Sequence, residues 1–216
     1  MNNLEEIAAF AASIHAANDD GHGFEHIERV VALADKILAT EPSADRNLVL
    51  AASYLHDSYD EKLTADSTTQ REVVRNFLLS LGLTADKVNK ILYIIDNMSF
   101  SSQNFGEAKP LDINGQIVQD ADRLEAMGAT MIVRTLEYGW AHNRVLYDPE
   151  ISPQDYRDKS DYHKSAKSTT INHFYEKAFR LQSLLNTKKA QEMGAERDKI
   201  MHAFVVAYEQ EYRDAH

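Results

Sequence analysis

Cysteine is absent from the 216 residues, which removes disulfides, thiolate zinc ligands and cysteine nucleophiles in one step. Any metal must then be held by imidazole and carboxylate. Glycine (8) and proline (4) are scarce, too few for the many tight turns of a strand-rich chain, so an all-α fold is expected. No run of about 18 apolar residues occurs. The N-terminal Met-Asn-Asn-Leu-Glu-Glu has neither the basic start nor the apolar stretch of a secretory signal. A soluble cytoplasmic protein without a membrane partner is the expectation. Positive charge is also in short supply: 23 basic against 34 acidic side chains give a formal charge of −11, which repels phosphate backbones and anionic lipid. Nucleic acid is therefore excluded as a general partner.

What is present is an ordinary globular composition, 44% apolar and 26% charged, at a length that suits one domain with a helical appendage. Ile27, Val30, Val31, Ala34, Ile37 and Leu38 fall on one face of a helix. The stretch from Leu48 to Leu55 is apolar almost all round, as a helix buried on several sides would be. Val73, Val74, Phe77, Leu78 and Leu81 form a third stripe, with Ser67 and Gln70 spaced as a capping box before it. Val88, Ile91, Leu92 and Ile95 form a fourth behind a Thr84 cap. Residues 99 to 112 lack periodicity and read as a loop, and Ile113, Ile117, Ala121 and Leu124 mark a further helix. After a polar segment at about 142 to 161, two more helices are expected from about His173 onward.

Chemistry concentrates where these helices deliver polar groups. His56 and Asp57 end the most apolar helix, a costly placement unless they are paired or ligated. His26 lies on the first strong helix, and Asp120 and Asp122 lie on the helix after the loop. Imidazole and carboxylate together suit a borderline or hard divalent ion, and ligands on three helices can converge within a bundle. Asp120 and Asp122 are about 200° apart around their helix, so they cannot both face one ion. The apolar stripe lies nearer Asp120.

The runs His22-Gly-Phe-Glu-His26, Leu55-His56-Asp57-Ser-Tyr-Asp60-Glu61-Lys62, Asp120-Ala-Asp122-Arg123, Arg134 and His173-Phe-Tyr-Glu-Lys177 occur in the order found in the HD-domain phosphohydrolases. The chain resembles the small stand-alone bacterial branch of that superfamily over nearly its whole length. The resemblance implies an HD-domain helical bundle with additional C-terminal helices: one domain over 1–216, its core at about 20–135 and a C-terminal helical extension at about 165–216. It implies His26, His56, Asp57 and a later aspartate as the four protein ligands of a divalent metal, the last mapping to Asp122, with Asp120 as a residue supporting the ligands or as the alternative. Gly23 stands where the family pattern tends to carry an aspartate, which leaves the ligands intact. No histidine occurs between residues 57 and 141, which favours one metal over two.

Asp60 and Glu61 resemble the acidic pair that positions or activates water in HD-type alarmone hydrolases, and either is a candidate general base. His22, Lys62, Arg123 and Arg134 are the candidates for substrate binding, because an acidic protein must gather its cations locally to hold a polyanion. The expected activity is metal-dependent hydrolysis of a small phosphorylated molecule, a nucleotide first among them, releasing pyrophosphate or single phosphates. Mn²⁺ is the favoured ion, with Mg²⁺, Fe²⁺, Co²⁺ and Zn²⁺ open. The alternative is a nucleotide-binding or sensing module without turnover. The ends of the C-terminal helices offer surface for a homodimer without requiring one.

Overall fold

The computed structural model describes residues 3–16, 23–60, 64, 66–99, 108–154 and 168–215, and among these it is all helix and turn, with no strand. The chain divides into two compact units, Met1–Asp122 and Arg123–His216. Among the described residues no helix is long and apolar enough to cross a membrane.

The first unit contains α1 (Asn3–His15), α2 (Phe24–Leu38), α3 (Arg46–Leu55), α4 (Ser67–Ser80), α5 (Ala85–Asn97) and most of α6 (Ile113–Glu125). Helix α3 is its axis, packed against α1, α2 and α5. Leu48, Val49, Leu50, Ala51, Ala52, Ser53 and Leu55 are all buried, so the all-round apolar character of this stretch reflects neighbours on several sides. Ser53 offsets its burial by donating its hydroxyl to the Val49 carbonyl at 2.9 Å. The α5 stripe of Val88, Ile91, Leu92 and Ile95 is buried as its spacing requires.

Of the two helix caps read from the sequence, that at Thr84 is found as expected. Thr84 accepts from the Lys87 N–H at 3.3 Å, and Asp45 accepts from Leu48 at 3.1 Å. Helix α4, however, is capped by Asp66, one residue before the serine of the expected capping box. Its carboxylate accepts from both the backbone N–H and the hydroxyl of Thr69, at 2.9 and 2.6 Å. An anion at a helix N-terminus outcompetes a neutral hydroxyl there, and Ser67 is released for a different bond. On α4 the buried residues are Val74 and Leu78, while Val73 is exposed. Phe77 stacks on Phe10 of α1 with ring centroids 3.9 Å apart.

The second unit holds the end of α6, then α7 (Ala129–Ala141), α8 (Asn172–Glu176), a 3-10 helix (Ala178–Leu184) and α9 (Lys188–Ala215). Gly128 turns the chain between α6 and α7 with φ of 77°, a conformation that favours glycine. Where the sequence suggests two helices after His173, the chain breaks at Lys177 and again at Leu185, both non-helical. Thr187 then restarts it by accepting from the Ala190 N–H at 3.3 Å. Phe174, fully buried, packs within 6.0 Å of Phe179 and 5.9 Å of Phe204. Of the segments read as loop, residues 100–107 and 155–167 lie outside the described residues.

Two tests follow from this packing. Leu92→Ala should lower the unfolding free energy by about 2–5 kcal/mol in urea titration, because the fully buried methyls leave a cavity; a change near zero would show α5 to be peripheral. His173 has its imidazole pushed down to about 3, first by burial and then by the charges of Lys177 and Arg144. It stays neutral in the fold while the unfolded chain takes up a proton below about 6.5. Its contribution is therefore lost as pH falls from about 6.5 toward 3. His173→Asn should flatten that part of the stability curve relative to the wild type.

Candidate metal centre

Three elements bring the histidines and aspartates together. His26 sits in the first turn of α2 and is 4% exposed; its own N–H donates to the Gly23 carbonyl at 3.0 Å. His56 terminates α3, so the helix that is buried on several sides ends with an imidazole already inside the unit. Asp57 follows it into the turn, and Asp122 arrives from α6.

The Nε2 atoms of His26 and His56 are 3.1 Å apart. Asp57 Oδ2 lies 3.5 Å from the first and 3.4 Å from the second, and Asp122 Oδ1 lies 3.7 Å from each. Ligands about 2.1 Å from a shared cation are separated by about 3.0 Å at right angles and about 3.4 Å in a tetrahedron. The observed spacings are near that range, and His26, His56 and Asp122 together form a candidate metal site.

The donor chemistry fits as well. His56 Nδ1 is 2.9 Å from the Ser53 carbonyl, which can only accept, so Nδ1 carries the proton and Nε2 presents a lone pair to the cluster. Lone pair and carboxylates crowd one point, an arrangement that calls for a cation. The two imidazoles form its buried wall. The carboxylates are on the open side, with Asp57 and Asp122 side chains 18% and 34% exposed. That side is the one solvent reaches.

Asp122 is thus the aspartate that reaches the histidines. Asp120, about 200° around α6, is fully buried beside the stripe of Ile117, Ala121 and Leu124. Asp60 is half-buried at the end of the turn; its N–H donates to the Asp57 carbonyl at 3.2 Å and its carbonyl accepts from Thr64 at 3.1 Å. His22, Glu61 and Lys62 lie outside the described residues. The two arginines read as phosphate ligands belong to the second unit and have protein acceptors there. Arg123, 4% exposed, donates to the Leu184 carbonyl, and Arg134 Nη1 donates to the buried Glu125 carboxylate at 2.5 Å.

Sequence reasoning does not find the bonds made beside these residues. The Ser53 carbonyl is a backbone atom and leaves no mark in the sequence. Tyr59 OH donates to Asp96 at 2.9 Å, and Arg71 grips the same carboxylate. The signal for Asp96 is an acid next to the buried Ile95 on α5, a position that needs a donor nearby.

The HD domain family model matches residues 23–127, a span that includes all four clustered side chains. YpgQ of Bacillus subtilis is 32% identical over 205 residues, covering 95% of this chain and 91% of that protein. The chain belongs to the HD-domain family. A crystal structure of a Lactobacillus plantarum protein resembles this HD protein with a TM-score of 0.86 at 37% identity, covering 99% of both chains. An HD-superfamily hydrolase of Bacillus thuringiensis gives 0.76 at 29%, over 98% of this chain and 97% of that one. The structure of YpgQ in complex with ADP gives 0.74 at 27% in the structural alignment, over 96% and 97%.

For this HD centre the two aspartates of α6 should behave differently. In calorimetric titration of Mn²⁺ into metal-stripped protein, Asp122→Asn should weaken uptake about tenfold or more, and by more than Asp120→Asn, whose carboxylate lies about 200° away around α6. The reverse order would move the last ligand to Asp120.

Proposed function

We propose that this HD protein is a metal-dependent phosphohydrolase acting on a small phosphorylated molecule, with a nucleotide as the favoured substrate. The observation that carries the reading is the convergence of two imidazole nitrogens and two carboxylates with the carboxylate side open to solvent. The ADP bound to YpgQ and the hydrolase from Bacillus thuringiensis support it.

In this reading His26, His56, Asp57 and Asp122 hold one divalent ion, Mn²⁺ first among the candidates. When bound, such an ion polarises a phosphoryl oxygen and lowers the pKa of a water. The chain does the rest. Ser53 keeps His56 in the tautomer that presents Nε2. Asp60 or Glu61 accepts the proton of the attacking water. The phosphate contacts fall first to His22 and Lys62, because Arg123 and Arg134 already donate to Leu184 and Glu125. The products are phosphate or pyrophosphate and the shortened nucleotide.

Incubation of the purified protein with a nucleoside triphosphate panel and Mn²⁺ or Mg²⁺ should release phosphate or pyrophosphate. His56→Ala and Asp57→Ala should each abolish that release together with metal retention. Full turnover in either variant would overturn the site assignment. An ADP complex is also what a nucleotide sensor would form, and Asp60→Asn with Glu61→Gln separates the two. A hydrolase loses turnover and keeps metal-dependent nucleotide binding; a sensor has no turnover to lose.

A further inference from the structure

Helix α3 ends at Leu55, so Asp57 and Asp60 stand on a turn rather than on a helix. Three backbone bonds shape that turn: Ser58 N–H to the Leu55 carbonyl at 3.0 Å, Asp60 to Asp57 at 3.2 Å, and Thr64 to Asp60 at 3.1 Å. Such bonds set the path of the chain and leave its placement against neighbouring helices open. Tyr59, the residue between the two aspartates, is 7% exposed. Its hydroxyl donates to Asp96 Oδ1 of α5 at 2.9 Å. Its backbone carbonyl accepts from the Ser67 hydroxyl of α4 at 2.6 Å, the bond for which the Asp66 cap frees that serine.

Asp96 is itself fixed from α4. Arg71 Nε lies 3.0 and 3.2 Å from its two oxygens, and Nη2 lies 2.7 Å from Oδ2. This two-pronged geometry restricts the carboxylate far more than a single lysine contact does. Side chain and backbone of one residue are thus tied to two helices that contribute none of the four clustered donor atoms.

We propose that Tyr59, held by the Asp96–Arg71 pair and by Ser67, is a positioning residue that docks the 57–60 turn so that the Asp57 carboxylate meets the two imidazoles. The inference rests on the metal reading given above. It differs from a plain stability role in what it predicts: loss of the clamp lets the turn shift, and the folded protein then binds metal less well. Groups that orient metal ligands from outside typically contribute about 10- to 100-fold in affinity or activity.

The test uses the full chain, stripped of metal. Mn²⁺ is titrated calorimetrically into wild type, Tyr59→Phe, Asp96→Asn and the double variant, and the melting temperature of each apo protein is recorded. The expected result is Mn²⁺ affinity reduced about tenfold or more in each single variant. The double variant should be no worse than the weaker single, because both break one linkage. Apo melting temperatures should not follow that order. Where nucleotide turnover is measured, kcat should fall with little change in KM. Unchanged Mn²⁺ affinity in Tyr59→Phe overturns the proposal, as do additive losses that track the melting temperatures. If Tyr59→Phe does not fold, Ser67→Ala removes the backbone anchor alone and must weaken Mn²⁺ in the same direction for the proposal to stand. A wild type that binds Mn²⁺ but hydrolyses nothing defeats the hydrolase reading and leaves this comparison decisive. A wild type that binds no divalent ion defeats the metal reading and this inference with it.

Discussion

Electron-rich atoms gathered within 3.7 Å of an imidazole nitrogen, two of them anionic, repel one another unless something positive lies among them. The first unit is organised to hold them there. His26 needs α2 to begin at Phe24, His56 needs α3 to end at Leu55, and Asp122 needs α6 to present the face opposite Asp120. The apolar packing of α3 against its three neighbours is what opposes that repulsion. The core and the site are one problem in this fold, because the same helix supplies a nearly continuous run of buried side chains and one of the two clustered imidazoles.

The placement of the charges follows a consistent division. Imidazoles, less costly to desolvate than carboxylates, form the interior wall; carboxylates, which need water or a cation, face outward. In the second unit the buried charges are matched locally: Arg134 with Glu125, and Arg123 with the end of the 3-10 helix. A cation already engaged by a buried partner is less available to a ligand.

Much of this is legible in the amino-acid sequence. The periodic stripes mark α2, α3, α5 and α6, because helix faces that pack on a core must be apolar every third or fourth residue. The ligand types are legible because polar groups stand at the end of an otherwise apolar helix. The choice of Asp122 over Asp120 is left open by helical geometry alone: the 200° separation says only that one of them points away, roughly half a turn from the other, and the stripe favours Asp120. The resemblance to the HD family points to Asp122, whose Oδ1 lies 3.7 Å from each imidazole nitrogen. What is not legible is anything decided by competition between near-equal partners. Asp66 displaces Ser67 as a cap by one residue, and the 3-10 segment between Ala178 and Leu184 interrupts a pattern that otherwise continues as helix. The bonds from Tyr59 and Arg71 to Asp96 join residues 37 and 25 positions apart, a separation over which no local pattern speaks.

The bond from His56 to the Ser53 carbonyl has an evolutionary side. In many metal sites the outer partner of a ligating imidazole is a carboxylate, which a single codon change can delete. Here the partner is main chain, present whatever residue occupies position 53, and positioned by the helical spacing between the two residues. Drift in the side chain at 53 cannot disturb the protonation pattern of His56. Only a change that unwinds the last turn of that helix can, and such a change would first expose the apolar interior around it.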